Sequence, residues 1–449
     1  MKVVIMAGGM GTRIQSVRSD VPKPMIPVCG KPILQHQLER LRDYGLTDIT
    51  IGVGHLGKVI KSYFGDGSNF GVNISYFTEE QPLGTAGALF KMLDGRACGE
   101  VHTTTVLDED FLLLCGDIIF DIDFDRFIAF HRNHGSWGTL VAHPNDHPYD
   151  SSLLVTEVLP PEERGGMPRD SHRVVQWLAK EDGRGLHRNL VNAGIQLISP
   201  RLLRATLDTF AAAGAVVPDR LDLDREVLKP GINSGRIFAY VTPEYVKDMG
   251  TPQRYQEVER DMETGRIRAK NLGCRQKAIF FDRDGTLNKL AGFISSPEQL
   301  ELLPDVADVI RQVNRSEYLA IVVTNQPVIA RGDCTFEELA LIHAKLESEL
   351  GKAGAFVDGL YFCPHHTDGG FPGERPEYKC LCDCRKPKAG LLLQAARDFN
   401  IDLSSSFMIG DSQSDVAAGL AAGCKAALMV TEEVGLAELC RRILDGEAL

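Results

Sequence analysis

Short apolar runs that stop at glycine or at a charged residue recur along the first half of the chain. KVVIMA at 2–7 ends at Gly8, as a buried parallel strand does where it meets a turn. Residues 32–45 carry apolar side chains at helical spacing, and Gly45 suits a helix C-cap. Further strand-like runs are DITIGVG at 48–54, NISYF at 73–77, FLLLCGD at 111–117 and GTLVAH at 138–143. Their alternation with helical segments predicts a doubly wound α/β domain.

A second group of apolar runs begins near residue 277. Each run ends in polar residues at its carboxyl end, where open α/β sheets bind ligands. The runs are AIFFD at 278–282, YLAIVVTN at 318–325 and SFMIGD at 406–411. The stretch before them is charged and has no apolar strand, which predicts a linker. We therefore predict two α/β domains, at 1–257 and 277–449, joined by a linker at 258–276.

Composition narrows the class of protein. The 449 residues are 43% hydrophobic and 24% charged, as in ordinary globular proteins, and this length predicts two or three domains. A formal net charge of -12 without a long Lys/Arg run argues against a nucleic-acid partner. The N-terminal apolar run is too short for a signal peptide, and no stretch approaches a membrane span. We expect a cytoplasmic protein without a membrane partner.

The segment MAGGMGTR at 6–13 follows the first strand and contains three glycines. Glycines let the backbone approach a phosphate closely and point N–H groups at it. The spacing matches neither GxGxxG nor a P-loop, so a purely structural turn remains an alternative. Lys23, fixed between two prolines beside Arg13, adds a second cation suited to a triphosphate. Either cation could also be a solvated surface charge.

Seven motifs in order over about residues 1–255 resemble the sugar nucleotidyltransferases: MAGGMGTR, PKP, GKPIL, EEQPLGTAGAL, CGD, NAGI and KDMGTP. The resemblance implies a Rossmann-like domain in which a sugar 1-phosphate attacks the α-phosphorus of a nucleoside triphosphate and pyrophosphate leaves. Arg13 and Lys23 would be catalytic. The implied nucleotide-binding residues are Gly8, Gly9, Gly11, Thr12, Arg13, Lys23, Gln81, Gly84 and Thr85, of which the last three would lie near the base.

The same resemblance implies a magnesium site and a sugar-phosphate site. Asp117 and Asp248 stand at the ends of apolar runs and would hold Mg²⁺, which prefers hard oxygen ligands; a capping role is the alternative. Lys180, Asn192 and Gly194 would bind the sugar phosphate. The residues around Lys180 differ from the Glu-Lys-Pro usual in the family, so this half does not fix the sugar. The form PLGTAGAL resembles guanylyl- and mannose-type transferases and favours GTP.

The segment FFDRDGTLN at 280–288 places two aspartates directly after a strand. One carboxylate can attack phosphorus while the other exchanges a proton with the leaving oxygen. A calcium loop is the alternative, but its further oxygen ligands do not follow. With VVTN, RKP and IGDSQSD in order over about 277–440, the segment resembles the haloacid-dehalogenase-like phosphohydrolases.

This second resemblance implies a mechanism and a ligand set. Asp282 would form an aspartyl-phosphate, and Asp284 would act first as general acid and then as base. Pro327 and Val328 stand where relatives commonly have Ser-Gly, and Ser412 where a lysine is usual. Thr324, Asn325 and Lys386 would bind phosphoryl oxygens, and Asp282, the carbonyl of Asp284 and Asp411 would bind Mg²⁺.

A cysteine and histidine cluster at 363–384 indicates metal. Cys-x-His followed by Cys-x-Cys supplies four N/S ligands for tetrahedral zinc. Reduced buried cysteines are the alternative, although the Pro, Gly and charged residues between the pairs offer little core. The cluster and TNQPVIARG resemble the D-glycero-D-manno-heptose 1,7-bisphosphate phosphatases. That resemblance implies structural Zn²⁺ on Cys363, His365, Cys382 and Cys384, with Arg385, and more weakly Asn288, near the substrate's second phosphate.

Together the two resemblances imply a bifunctional enzyme. Removal of the 7-phosphate from the heptose bisphosphate leaves a heptose 1-phosphate, which a nucleotidyltransferase would couple to GTP. The product would be GDP-D-glycero-α-D-manno-heptose, for lipopolysaccharide or another surface glycan. Two alternatives stay open: a hexose 1-phosphate transferase fused to an unrelated phosphatase, and one half acting as a binding module without turnover. Such transferases often self-associate, so a homo-oligomer is a further expectation.

Overall fold

The computed structural model describes residues 1–8, 21–54, 56–93, 106–157 and 172–447. The chain forms two compact units, each of which combines segments that are distant in sequence. Unit 1 comprises Met1–Ala142, Leu154–Trp177 and Asn192–Asn271, and unit 2 comprises His143–Leu153, Leu178–Val191 and Leu272–Leu449.

The part of the chain up to Ala269 alternates strands and helices. In order, its elements are β1 (Val3–Met6), β2 (Pro27–Val28), β3 (Lys31–Pro32), α1 (Ile33–Asp43), β4 (Asp48–Val53), α2 (Gly57–Phe64), β5 (Asn73–Thr78), α3 (Gly84–Leu93), β6 (Phe111–Cys115), β7 (Ile118–Asp121), α4 (Phe124–His134), β8 (Gly138–His143), β9 (Leu153–Glu157), β10 (Arg173–Leu178), β11 (Val191–Ile198), α5 (Pro200–Ala212), α6 (Lys229–Gly231), β12 (Ile237–Val241), β13 (Tyr245–Asp248), α7 (Pro252–Glu263) and α8 (Arg266–Ala269).

A nine-stranded sheet in the order β5-β4-β1-β6-β11-β8-β12-β10-β9 organises these elements. β1 lies between β4 and β6, parallel to both, and is buried because both faces of a parallel sheet are covered. The carboxyl ends of β1 and β6 therefore share one edge, where Gly8 and Asp117 follow. β13 pairs with β7 in a separate two-stranded sheet. The strands predicted from the first group of apolar runs are confirmed.

Helix α1 shows how the apolar spacing produces its packing. Leu34, Leu38 and Leu41 recur at intervals of four and three residues, and all three are fully buried in one core cluster. The helix ends at Asp43, and Gly45 has a φ of +70°, a conformation that favours glycine. The predicted helix and its glycine stop are confirmed.

The segment expected to be a linker, 258–276, is helical over most of its length, through the end of α7 and all of α8. Val258 and Ile267 are buried in one apolar cluster, and the Tyr245 hydroxyl donates to Asp261 at 2.9 Å. Few apolar residues reach this cluster from a stretch that is rich in charged residues. The composition of the stretch therefore did not reveal that it is helical and packed. In sequence, unit 1 ends at Asn271, inside the segment.

The C-terminal part of unit 2 is built on a five-stranded sheet. All its strands run parallel in the order β16-β15-β14-β17-β18, and three of them are the strands predicted from the second group of apolar runs. The elements are β14 (Lys277–Phe281), α9 (Val306–Asn314), β15 (Tyr318–Asn325), α10 (Val328–Arg331), α11 (Phe336–Lys352), β16 (Gly359–Cys363), α12 (Gly390–Asp398), β17 (Phe407–Gly410), α13 (Gln413–Ala422), β18 (Ala426–Met429) and α14 (Leu436–Leu444). No helix in the described ranges is both long and apolar enough to cross a membrane.

Polar contacts tie residues 143–153 and 178–191 to α11 within unit 2, and the Tyr149 hydroxyl of the first segment donates to the carbonyl of Ser348 at 2.9 Å. The backbone N–H of Asn189 donates to the Glu347 carboxylate at 2.6 Å, and that carboxylate lies 3.3 Å from Arg188. The Ser348 hydroxyl donates to the carbonyl of His187 at 3.1 Å. Glu347 is only 5% exposed, so these hydrogen bonds replace the water that its carboxylate loses on burial.

Candidate active sites

In unit 1 the predicted phosphate loop begins at Gly8, directly after β1. A Cβ added there would lie 3.4 Å from the backbone nitrogen of Gly54 and 3.7 Å from a carboxylate oxygen of Glu79, so the backbone is closely surrounded. The four other predicted residues of this loop lie outside the described residues: Gly9, Gly11, Thr12 and Arg13.

The predicted cation and the two predicted magnesium ligands occupy one edge of unit 1. Lys23 Nζ lies 2.5 Å from Asp117 Oδ2. The backbone N–H of Met249 donates to the carbonyl of Asp117 at 3.0 Å, which holds Asp248 next to the Asp117 turn. The Asp248 carboxylate accepts from Arg254 Nη1 at 2.7 and 2.8 Å. Each predicted magnesium ligand thus has a cationic partner.

Gln37 fixes the turn that carries Asp117, a role that sequence reasoning missed. Its buried amide nitrogen donates to the carbonyls of Cys115 and Ile118 at 2.9 and 2.8 Å. The sequence did contain a signal for this role, since Gln37 lies on the otherwise apolar face of α1. A buried amide needs polar partners, so a glutamine at that position indicates a hydrogen bond to another segment.

Two of the three predicted sugar-phosphate residues lie beside the same turn. β11 runs antiparallel to β6. Gly194 has a φ of +73°, and a Cβ added to it would lie 3.0 Å from Cys115 Sγ. Asn192 Oδ1 accepts from Gln196 Nε2 at 3.5 Å. Lys180, in contrast, belongs to unit 2, where it is exposed and lies 3.9 Å from Glu181.

The residues predicted to meet the base are held against the chain near residue 221. Gly84 has a φ of +75°, and a Cβ there would lie 2.2 Å from the carbonyl oxygen of Leu221, so glycine is required. Thr85 Oγ1 accepts from the backbone N–H of Leu223 at 2.7 Å. Gln81 is exposed. The segment predicted to contact the base is therefore held in place at the start of α3.

Asp224, one residue beyond that contact, was not predicted. It lies in a π-helical turn, and burial, followed by the charge of Asp222, raises its pKa to about 6. Burial raises the pKa of Cys115 to about 12, and the charges of Asp117 and Asp224 contribute in the same direction. The carboxylate of Asp224 thus acts electrostatically on the turn that holds the predicted magnesium ligand.

In unit 2, Lys386 joins the predicted nucleophile to a second carboxylate. Its ammonium lies 2.7 Å from Asp282 Oδ1 and 2.6 Å from Asp415 Oδ1, and it donates to the carbonyl of Val323 at 2.8 Å. All three charged residues are buried. Burial raises the pKa of Asp282 to about 6, and the charge of Lys386 opposes that rise.

Asp282, Asp411 and Asp415 each offer an oxygen, and these three atoms lie within 4.8 Å of one another. A Cβ on Gly285 would lie 1.9 Å from Asp411 Oδ2, so only glycine fits there. Asp415 was missed, although it is the last residue of IGDSQSD; it also accepts from the Ser412 hydroxyl at 2.7 Å at the start of α13. The side chain of Asp284 is not in this group.

The predicted phosphoryl-binding residues of β15 are tied to the Lys386 loop and to one another. Asn325 donates to the carbonyl of Lys386 at 3.1 Å and accepts from its backbone N–H at 3.0 Å. Thr324 is buried, and its hydroxyl oxygen accepts from Gln326 Nε2 at 2.9 Å. Lys386 therefore contacts Asp282 directly, Asn325 holds the Lys386 backbone, and Thr324 precedes Asn325 on β15.

The four predicted zinc ligands converge. Cys384 Sγ lies 3.2 Å from Cys363 Sγ, 3.3 Å from Cys382 Sγ and 3.3 Å from His365 Nδ1. Such a set of three sulfurs and one nitrogen fits a tetrahedral metal ion. Arg385 donates to the carbonyl of His365 at 3.0 Å, so the cluster orients the predicted phosphate-binding guanidinium. Two neighbours, His366 and Cys380, lie outside the cluster.

Known proteins resemble both parts of the chain. A family model described as nucleotidyl transferase matches residues 2–175, and one described as HAD-hydrolase-like matches residues 383–442. The D-glycero-beta-D-manno-heptose-1,7-bisphosphate 7-phosphatase of Pasteurella multocida is 41% identical over 155 residues, which are 34% of this chain and 82% of that protein.

Two solved structures are similar to separate parts of the chain. HddC from Yersinia pseudotuberculosis is 24% identical, covers 58% of this chain and 99% of its own, and has a TM-score of 0.43. The D,D-heptose 1.7-bisphosphate phosphatase from B. bronchiseptica, complexed with magnesium and phosphate, is 29% identical. It covers 38% of this chain and 99% of its own, with a TM-score of 0.33.

Proposed function

The chain belongs, through its C-terminal part, to the family of the D-glycero-beta-D-manno-heptose-1,7-bisphosphate 7-phosphatases, and on this premise we propose that it makes a nucleotide-activated heptose in two consecutive steps. It is an enzyme that joins a nucleotidyl transferase domain to a haloacid-dehalogenase-like phosphatase domain. We assign the transferase to 1–257 and the phosphatase to 277–449, with the connection at 258–276.

In the phosphatase step, Asp282 attacks the phosphorus of the 7-phosphate. The aspartyl-phosphate forms, the bond from phosphorus to the C7 oxygen breaks, and Asp284 gives that oxygen its proton, which leaves heptose 1-phosphate. Asp284 then takes a proton from water, which attacks the aspartyl-phosphate and releases inorganic phosphate. Lys386 and Thr324 bind the phosphoryl oxygens, and Arg385 binds the 1-phosphate.

The carboxylates of unit 2 fit a divalent cation. Asp282, Asp411 and Asp415 bring three oxygens together in a largely buried place, a donor set that suits Mg²⁺. Without a cation, three largely buried carboxyl groups would face one ammonium, that of Lys386, and any negative charge that it does not balance would be costly. Mg²⁺ bound there would neutralise charge on the phosphoryl group.

In the transferase step, an oxygen of heptose 1-phosphate attacks the α-phosphorus of the nucleoside triphosphate and pyrophosphate leaves. Lys23 and Arg13 neutralise phosphate charge, and Asp117 and Asp248 would hold Mg²⁺ after their cationic partners rearrange. Asn192 and Gly194 bind the sugar. Lys180 is proposed on the family resemblance alone, because it is exposed and belongs to unit 2.

The proposal also specifies which nucleotide and which anomer of the heptose the enzyme uses. The motif PLGTAGAL supports GTP, and GTP would pair with the α-anomer by analogy with guanylyl enzymes. The related phosphatases carry the β-anomer in their names. We propose the α-anomer, with a heptose destined for a surface glycan such as lipopolysaccharide.

The position of the buried Lys386 between Asp282 and Asp415 is the observation that carries the phosphatase assignment. It places the nucleophile, Asp282, beside an ammonium that can bind an anion. The test is phosphate release from each anomer of D-glycero-D-manno-heptose 1,7-bisphosphate, compared with mannose 1,6-bisphosphate. We expect kcat/KM to be highest for one heptose anomer. Equal or faster turnover of the hexose would contradict the heptose assignment.

A further inference from the structure

The carboxylate of Asp284 accepts four hydrogen bonds from three side chains. Asp284 Oδ1 accepts from Arg283 Nε and from Asn288 Nδ2, both at 3.0 Å. Asp284 Oδ2 accepts from Arg283 Nη2 at 2.8 Å and from Gln326 Nε2 at 2.9 Å. Both oxygens are thus fixed, and rotation of the carboxyl group would break two or more of these bonds.

The three donors lie inside the protein. Arg283 and Asn288 are 0% exposed and Gln326 is 2% exposed. A buried guanidinium is expensive unless a charged partner balances it, and its bidentate pair with Asp284 supplies that balance. Gln326 also donates to Thr324 and accepts from Arg283 Nη2 at 3.0 Å, so the donors brace one another.

A neutral histidine lies behind the buried guanidinium. Burial, followed by the charge of Arg283, lowers the pKa of His343 well below its usual range. His343 on α11 is only 6% exposed, and with this lowered pKa it adds no second positive charge. Asp284 is the carboxylate to which the guanidinium binds.

We propose that Arg283, Gln326 and Asn288 are positioning residues for the proton transfer by Asp284. The inference rests on the proposed phosphatase function, in which Asp284 gives a proton to the leaving oxygen. The donors hold the carboxyl group in one orientation, so that its proton reaches an oxygen bound to phosphorus at the Asp282 site. One of the four hydrogen bonds gives way when Asp284 carries that proton.

The leaving group distinguishes this role from a general structural one. An alkoxide or phenoxide needs a proton as its bond to phosphorus breaks, whereas p-nitrophenolate leaves without one. A misplaced Asp284 therefore slows the first chemical step for a poor leaving group and spares it for a good one. A loosened fold slows both.

The experiment measures ester cleavage in the first turnover of phenyl phosphate and p-nitrophenyl phosphate. For Gln326→Met we expect a loss of about 10- to 100-fold with phenyl phosphate and about twofold or less with p-nitrophenyl phosphate. Gln276→Met is the matched control, since Gln276 is a buried glutamine of unit 2 whose side chain donates to the Cys274 carbonyl instead. Gln276→Met should not slow the cleavage of one ester more than that of the other. Equal losses on both esters for Gln326→Met would overturn the proposal.

A second variant covers the case in which Gln326→Met does not fold. Asn288→Leu removes one of the two donors to Asp284 Oδ1 and should give the same selective loss. Arg283→Lys, which cannot form the bidentate pair, should give that loss as well. Equal losses on both esters for folded Asn288→Leu would also overturn the proposal. If the wild-type enzyme cleaves both aryl esters but not heptose bisphosphate, the heptose function fails while the positioning role stands.

Discussion

At Lys386 one ammonium faces the carboxylates of Asp282 and Asp415 inside the protein. Replacing Asp415 with Asn leaves the ammonium with one charged partner and removes one oxygen anion from the proposed cation site. We expect Asp415→Asn to lower phosphatase activity or Mg²⁺ affinity by about 10- to 100-fold. Steady-state kinetics over a Mg²⁺ titration will measure both.

Loss of a helix cap alone must be separated from this effect. Asp402 also caps a helical turn, by accepting from Ser404, but it lies outside the group of three carboxylates. Asp402→Asn should therefore keep its phosphatase kinetics. A similar kinetic loss in both variants would contradict the role of Asp415 in the site.

Asp224 should make the stability of unit 1 depend on pH. Its pKa is 3.8 ordinarily and about 6 in the folded chain, so between these values the folded state keeps a proton that the unfolded state has lost. The free energy of unfolding therefore falls as the pH rises from about 4 to about 6, by at most about 3 kcal/mol. Asp224→Asn should remove this fall.

Tryptophan fluorescence can follow unit 1 by itself. The chain has two tryptophans, Trp137 and Trp177, and both pack in one core cluster of unit 1. Urea unfolding of wild type and Asp224→Asn across this pH range gives the difference. Asp219→Asn, at an exposed aspartate five residues earlier, is the control. A difference independent of pH would argue against ionisation of a buried carboxyl.

At the scale of elements, the loop that begins at Cys363 connects metal binding to substrate binding. Arg385 follows Cys384 directly and donates to the carbonyl of His365, so loss of the metal should release its guanidinium. We expect Cys384→Ser to lose about one equivalent of zinc and to raise KM for the bisphosphate more than it lowers kcat. Metal analysis and kinetics check both.

Cys380 offers a matched control for the cysteine substitution. It lies four residues earlier, is exposed and stands outside the four-ligand group. Cys380→Ser should keep its zinc and its KM. Retention of zinc by Cys384→Ser, or a KM that does not respond to zinc loss, would show that the loop does not depend on the metal.

The sequence allowed us to predict the site residues that directly follow a strand. It did not reveal the acidic residues on helices, because the direction of their side chains depends on how the helix is oriented. Asp282 and Asp411 follow apolar runs, and carboxyl ends of parallel strands share an edge, so their proximity could be foreseen. Asp415 lies in the first turn of α13, and Asp224 in a π-helical turn. The phase of a short helix is not fixed by a run of mixed residues, so their orientation needed the structure.

At the scale of the whole chain, the two units interleave in sequence, which the domain prediction did not anticipate. Unit 2 takes in 143–153 and 178–191 because polar groups such as Glu347 bind them. Contacts between residues so far apart leave no periodic signal along the chain. The charged stretch at 258–276 similarly hid the end of α7 and the whole of α8, which pack through Val258 and Ile267.

The two proposed activities should separate on substitution. Asp282→Asn removes the nucleophile but retains a side chain of the same shape, so phosphate release should stop while nucleotide transfer to heptose 1-phosphate remains within about twofold of wild type. Lys23→Met should have the opposite effect: nucleotide transfer should stop while phosphate release remains near that of the wild type. Loss of both activities in a folded Asp282→Asn protein would mean that the sites are not independent.

The central claim is that the phosphatase makes the substrate of the transferase. ³¹P NMR of the purified protein with Mg²⁺, each anomer of D-glycero-D-manno-heptose 1,7-bisphosphate and each nucleoside triphosphate in turn follows phosphate, pyrophosphate and nucleotide sugar together. We expect one anomer to release phosphate first and then, with GTP, to give pyrophosphate and a GDP-heptose. Phosphate release without a nucleotide-heptose from any triphosphate would contradict the claim.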